Sequence, residues 1–599
     1  SVEIIMEGEY QNLKLEELRD GPLKDRKCTD VLFLLVFLAF FTSMVVVGFL
    51  GFSKGDPDLL IYPYDSAGFQ CGRPSTPTND FNYLYYVNPD SDDKTTVCVK
   101  SCPSSNGDNV IFYQTSYVIS GTFKEGNFIF TFKKELGNDT DTNESIHSSS
   151  FLKHFCIPKE YEDEITGQIG YDKLQQWARD ITVCWTMVLG VFAIAVGVSI
   201  IYLVLLRYCV GVVLWGSIFS IIGLLILGGC LFYEKGENDY NGSKDDNSRD
   251  FMKGMGITLF ILAGIALLVT LLMCNRIRLA VAIMKSAAIF FKDVWEVVFV
   301  PVTFFFISAI FLVFWVLALV YIYTSGTIPQ EDKYEPINSI DWDNTMRNSF
   351  YFELLGIVWI IAIKIALVQF IIAFACSVWY FYQDRERKHD IVCEGVKYAL
   401  FKHLGSLALG SFLLATVWMV KWILQIIAEK LYKEEAENRV LQCLCGCAKC
   451  CVDCFERFIK FLDSHAYIRI ALTGEGFCEA AQNAMGMVVM NAGKFLALSG
   501  VGSIFQLLGR VFITVVSSYL GYWIITNSDH YSEEINSPAP PTVIFVVSSY
   551  LVASMFMSIY EVAADTIIQA YILDHTLHKG EPVFAPEPIK EFMEEHSET

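Results

Sequence analysis

Charged residues are sparse in this 599-residue chain, at 19%, against 53% hydrophobic residues. Soluble domains carry more charge than that. Positive charge is the scarcer sign: 45 Lys and Arg stand against 66 Asp and Glu, a formal net charge of −21. No phosphate-neutralising surface is expected, which argues against nucleic acid as a partner. Signatures of catalysis are missing as well. There is no HExxH, GxSxG or dinucleotide-binding glycine pattern, and Gly493-Lys494 runs into Phe495 rather than Ser or Thr, so it is no P-loop. An enzyme is therefore not expected, nor a cofactor or a metal. A cleavable signal peptide is not expected either, because the amino-terminal residues are polar and acidic. The chain starts at Ser1 without Met, which predicts trimming or modification at that end.

What the chain does have is long apolar runs, with 46 Phe and 29 Tyr. A bilayer core of about 30 Å needs roughly 20 apolar residues in a helix. Nine runs qualify: Val31–Phe52, Ile181–Leu206, Gly211–Phe232, Gly254–Cys274, Val298–Tyr323, Leu354–Tyr382, Leu404–Ala428, Phe495–Thr526 and Val543–Leu573. Val440–Leu462 is a tenth candidate, weakened by Lys449, Asp453, Glu456, Arg457 and Lys460. Basic residues bias loops towards the cytosol. Lys24, Arg26 and Lys27 precede the first run; Arg276, Arg278 and Lys285 follow the fourth; Arg385, Arg387, Lys388, Lys397 and Lys402 separate the sixth from the seventh. These agree if the amino terminus is cytosolic. The run at Phe495–Thr526 then reads as cytosol to outside, which favours counting Val440–Leu462 as a crossing. The segment Arg276–Val294 is amphipathic and reads as an interfacial helix or an extension of a flanking span.

The expected fold is an all-α polytopic membrane protein with about ten transmembrane helices and one compact extracellular domain between the first two. Its parts are a cytosolic segment (1–30), a first span (31–52), a disulfide-containing extracellular domain (53–180), spans two to ten (181–574) and a cytosolic tail (575–599). The extracellular region is rich in Gly, Pro, Asn, Asp and Ser, and Tyr117–Leu136 alternates around Lys124–Gly126 as a β-hairpin would. Cys71, Cys98, Cys102 and Cys156 lie there; two disulfides have three possible pairings. Asn138, Asn143 and Asn241 begin sequons on the side read as external.

Three constellations bear on function. Cys443, Cys445, Cys447, Cys450, Cys451 and Cys454 pack six thiols into twelve residues. Zinc needs its sulfurs within about 4 Å of one another. A helix would spread these over about 16 Å, so packing or lipidation is the favoured reading. The second constellation is intramembrane charge, which defaults to a functional hypothesis. Lys364 lies mid-run, and Glu561 and Asp565 share a helical face at i, i+4. Ion or proton coupling competes there with a structural ion pair. The third is aromatic: Trp185, Trp315 and Trp359 could wall a quaternary ammonium by cation–π attraction, with Gln369 as a polar contact.

Several segments together resemble the choline transporter-like family of solute carriers. They are KCTDVLFLLVF (27–37), GDPDLLIYPYDSAGFQCG (55–72), CVKSCP (98–103), FCIP (155–158), LGSLALGS (404–411), the block AENRVLQCLCGCAKCCVDCFERFIKFLDSHAYIRIALTGEGFCEAAQNA (436–484) and SSYLVASMFMSIYEVAADTIIQAYILD (548–574). The resemblance implies ten spans with both termini cytosolic, and transport of choline, and in some members ethanolamine, with proton exchange as the driving reaction. The three sequons favour the secretory route and the plasma membrane, with a mitochondrial or other organelle membrane as the alternative. Lys364 stands where similar sequences carry an apolar residue, and Trp418 where they carry a Gln. A fixed lysine repels choline unless neutralised, so a non-transporting structural or accessory subunit with the same fold is the rival reading. Choline or a related cation and membrane lipids are the expected partners; protein partners are not predicted.

Overall fold

The computed structural model describes residues 26–65, 68–86, 96–102, 109–112, 128–131, 148–151, 155–158, 180, 183–238, 246–272, 274–326, 342–382, 390–434, 439–528, 531, 535, 537–578 and 581–597, with some side chains inside helices not described. The three sequons, Lys24, Arg385, Arg387, Lys388 and the turn at Lys124–Gly126 lie outside the described residues, as do the side chains of Cys443, Cys445 and Cys447.

Long helices dominate. In chain order they are α1 (Val31–Lys54), α2 (Trp185–Asn238), α3 (Asp246–Leu272), α4 (Cys274–Asp293), α5 (Phe299–Tyr323), α6 (Asn344–Phe381), α7 (Ile391–Phe401), α8 (Leu404–Glu434), α9 (Arg439–Thr473), α10 (Phe477–Met490), α11 (Ala492–Asn527), α12 (Ala539–Leu577) and α13 (Glu587–Ser597). Proline does not interrupt them. Pro301 and the pair Pro540–Pro541 fall in the first turns of α5 and α12, where no backbone donor is lost. Nine windows among the described residues are long and apolar enough to cross a membrane. They agree with the nine apolar runs, and the chain is a multi-pass integral membrane protein.

Two boundaries differ from the sequence expectation. The second and third windows, Trp185–Leu206 and Val210–Glu234, share the single helix α2 of 54 residues. Nothing between Leu206 and Val210 breaks a helix, since Arg207, Tyr208 and Cys209 all tolerate one. At 1.5 Å per residue α2 is about 81 Å long along its axis, well over one bilayer. The tenth candidate, Val440–Leu462, forms part of a longer helix, α9, which is not among the nine windows. Its charges explain this: Glu456 binds Lys421 of α8 and Lys460 of its own helix, both at 2.6 Å, and Asp453 binds Lys421 at 2.8 Å.

The residues divide into two compact units. Unit 1 holds residues 1–38, 180–308 and 358–599, and unit 2 holds 39–179 and 309–357. The core of unit 1 gathers α4, α12 and the facing sides of α6, α9 and α11. Helix α4 is amphipathic as its sequence predicts: Ile277, Ile283, Met284, Ala287 and Phe290 are buried in the core of unit 1, while Arg278, Lys285 and Lys292 are exposed.

Unit 2 carries a six-stranded sheet in the order β4-β3-β2-β1-β6-β5. The strands are β1 (Tyr83–Tyr86), β2 (Thr96–Val99), β3 (Asn109–Phe112), β4 (Phe128–Thr131), β5 (Ser148–Phe151) and β6 (Phe155–Pro158). All pairs are antiparallel except β1 with β6. The described part of the expected hairpin, β4, pairs with β3. Cys71 bonds Cys98 and Cys102 bonds Cys156, which selects one of the three pairings. Their Cα separations are 5.2 and 5.5 Å. The closed loops span 27 and 54 residues, so each bridge removes up to about 4 kcal/mol of chain entropy from the unfolded state. Replacing Cys102 and Cys156 together by Ser is expected to advance tryptic cleavage of residues 53–180 more than replacing Cys71 and Cys98 together. Equal cleavage in both variants and wild type would argue that neither bridge braces the sheet.

Candidate functional site

A cavity of about 500 Å³ opens inside unit 1, lined by α4, α5, α6, α8, α9, α11 and α12. Its size suits a small organic ligand. Helical spacing explains which side chains reach it. On α12, Ser558, Glu561 and Asp565 follow one another at i, i+3 and i+7; on α6, Lys364, Val368 and Ile372 follow at i, i+4 and i+8. Phe304, Phe305, Trp418, Phe461, Tyr467 and Phe495 supply aromatic walls.

The charged groups differ in how far they are already engaged. Glu561 hydrogen-bonds Gln506 of α11, whose side-chain oxygen accepts from Arg510 at 2.8 Å. Lys460 is held by Glu456, and its ammonium lies 5.4 Å from the Trp418 ring centroid. Trp418 itself donates to Glu456 at 3.1 Å. Asp463, only 2% exposed, has neither carboxylate oxygen paired, while the His465 ring takes a 2.8 Å hydrogen bond from the Gln569 amide. Lys364 and Asp565 make no ion pair or hydrogen bond among the described residues. A structural ion pair between Lys364 and Glu561 or Asp565, one of the two competing readings of these charges, is therefore not formed among the described residues.

The sequence-selected residues divide accordingly. Lys364, Gln369, Glu561 and Asp565 line this one cavity. Trp185, Trp315 and Trp359 do not. Trp185 is exposed at the start of α2. Trp315 belongs to unit 2 and donates to the Glu353 carbonyl at 3.1 Å. Trp359 is buried between Phe37 and Phe412, with its indole N–H shared by Ala408 O and Ser411 Oγ at 3.3 Å. Its nitrogen is occupied in packing α6 on α8. Asp463 and His465 were missed because the apolar run stops at Leu462, whereas α9 continues to Thr473. The signal was present in the stretch FLDSHAYI, read only as a family fingerprint.

One end of the bundle is tied by the segment that precedes α1. Ser406 Oγ donates to Asp30 at 2.5 Å, so its oxygen accepts from Thr29 at 2.7 Å. Thr29 in turn accepts from His403 Nδ1 at 3.0 Å, which leaves Nε2 bare and buried. Glycines permit the close approach. A Cβ at Gly405 would sit 2.3 Å from the Asp30 carbonyl oxygen, and one at Gly410 2.5 Å from the Tyr467 hydroxyl. Burial, with Arg26 and Lys402 nearby, pushes the His403 pKa down to about 3. The folded ring stays neutral while the unfolded one protonates below about 6.5. Stability is thus full above that pH and falls by about 1.4 kcal/mol per unit below it, until the folded ring titrates. His403→Gln is expected to flatten the decline of thermal stability between pH 6.5 and 4.5; an unchanged slope would exclude His403 as the source.

A profile of the plasma-membrane choline transporter family matches residues 257–576, more than half of the chain. The chain belongs to this family. That match begins in α3 and covers every helix around the cavity. Full-length relatives agree with the family assignment. Choline transporter-like protein 2 of Dictyostelium discoideum is 27% identical, over 94% of this chain and 94% of its own. Choline transporter-like protein 4 of Sus scrofa is 26% identical, over 94% and 92%. Choline transporter-like protein 1 of Torpedo marmorata is 25% identical, over 96% and 94%. Family membership agrees with the resemblance carried by the Cys-rich block and the α12 motif.

Proposed function

We propose that this protein carries choline or a related small organic cation, such as ethanolamine, across the plasma membrane by alternating access through the cavity of unit 1. The observation that carries this reading is a cavity, in a choline transporter family chain, where aromatic walls meet the carboxylates Asp463, Glu561 and Asp565. A trimethylammonium group has no N–H to donate, so it is held by fixed negative charge and by the faces of rings. Trp418 and the phenylalanines take the place that Trp185, Trp315 and Trp359 were expected to fill. Glu561 and Asp565 supply the counter-charge, and protons return on the same acids when the cation leaves.

In this reading the two apolar windows of α2 count as two crossings, α9 is the eighth crossing, both termini are cytosolic, and the sheet of unit 2 is extracellular. The disulfides Cys71–Cys98 and Cys102–Cys156, which tie β2 and β6 to neighbouring segments of unit 2, support an external placement. The test is counterflow of labelled choline in vesicles containing the purified protein. Accumulation that depends on choline preloaded inside supports transport; equal label with and without preloading sinks it.

A further inference from the structure

The cavity holds two kinds of unengaged charge. Lys364 on α6 and Asp463 on α9 both line it, and among the described residues neither is paired with the other or with any third group. Asp463 is almost fully buried with two bare carboxylate oxygens, and Asp565 lines the same cavity from α12. Isolated charges of either sign are costly inside a bilayer protein. A ligand of one sign relieves only one of them: a simple cation satisfies the acids and is repelled by the lysine. A ligand carrying both signs relieves both.

We infer that the preferred ligand of this cavity is a zwitterion, a quaternary ammonium joined by a short linker to a carboxylate, with its cationic end among Asp463, Asp565 and the aromatic walls and its anionic end on Lys364. The inference rests on the reading of this cavity as the substrate site. It differs from that reading in the demand it makes on Lys364, which becomes a recognition group instead of an obstacle. Lys460 also lines the cavity, but its charge is already satisfied by Glu456, so Lys364 is the cation left to meet an anion.

Two probes isolate the idea. Choline and N,N,N-trimethylglycine share the trimethylammonium group and differ only in a hydroxymethyl against a carboxylate. Equilibrium binding of each, radiolabelled, is measured on the purified full chain, so the readout does not depend on transport. Wild type is expected to bind trimethylglycine more tightly than choline. Lys364→Met is expected to weaken trimethylglycine by about thirty-fold or more while leaving choline equal or tighter, as for loss of one partner of a desolvated charge pair. Lys364→Arg retains the preference, and Asp463→Asn weakens both ligands. Choline binding without trimethylglycine binding overturns the inference and leaves the choline reading standing. Trimethylglycine binding that depends on Lys364, without choline binding, supports the inference and overturns the choline reading alone. Binding of neither ligand by a monodisperse wild-type protein overturns both. The wild-type comparison decides the matter even if a variant fails to fold.

Discussion

Asp565→Asn is expected to lower choline uptake by about a hundredfold, more than Glu561→Gln does. Both acids lie on the cavity face of α12, but they are not equally free. Glu561 is engaged through Gln506 with Arg510, whereas Asp565 makes no ion pair or hydrogen bond among the described residues. The acid without a partner is the one a passing cation gains most from meeting. Removing one side of a desolvated charge contact costs about 2–5 kcal/mol, and every 1.4 kcal/mol is about tenfold in affinity. Two roles are separable by the assay. If Asp565 contacts the cation, net uptake and choline–choline exchange both fall, with the loss in KM. If it only carries the returning proton, net uptake fails while exchange persists. Wild-type rates in both assays would remove Asp565 from the mechanism.

How much of this could be read from the sequence depended on the range of the interaction involved. Spans are local: about 20 apolar residues declare themselves, and the nine runs reappear as nine windows. Intramembrane charge is equally local, so Lys364, Glu561 and Asp565 stood out before any fold was known. Helix length was less legible, because apolar content stops before the helix does. The run ending at Leu462 hid Asp463 and His465, which ride on eleven further residues of α9. Nor could the sequence show that α2 continues through Arg207, since a charged residue between two apolar runs marks a membrane boundary without breaking a helix. Aromatic residues were the least legible of all. Trp359 and Trp418 look alike in a sequence, yet one is spent on the backbone and a hydroxyl of α8 and the other faces the cavity. That distinction rests on contacts about fifty residues away along the chain. Disulfide pairing is long-range in the same sense, and three alternatives became one only when β2 and β6 were placed on either side of β1.

Arg26→Ala is expected to destabilise the protein by about 3 kcal/mol or more, as loss of a buried, charge-assisted pair of hydrogen bonds does. Arg26 is 6% exposed, although it lies before the first span. Its guanidinium donates to the carbonyls of Ile470 and Ala471 at 3.0 and 2.6 Å, within the last turn of α9. The Ile470 carbonyl also accepts from the Gly474 backbone N–H at 2.9 Å, and carbonyls in a last helical turn carry the negative end of the helix dipole. The Phe374 and Tyr398 rings lie 5.0 and 5.3 Å from the guanidinium carbon. Four residues on, Asp30 accepts from the backbone N–H of Phe477 at 2.8 Å, at the start of α10. A short segment thus binds the negative end of one helix with a cation and the positive end of the next with an anion. Burial lowers the Arg26 pKa only to about 10, so the cation persists at every physiological pH. Arg26→Lys is expected to recover part of the loss, because an ammonium cannot present two parallel donors to two carbonyls. Thermal unfolding in detergent reads the stability, and choline uptake reads the consequence. A brace alone lowers the melting temperature and leaves KM unchanged in the protein that remains folded. A segment that must release these helix ends during each transport cycle changes KM as well, and only that result would make Arg26 and Asp30 part of the gate.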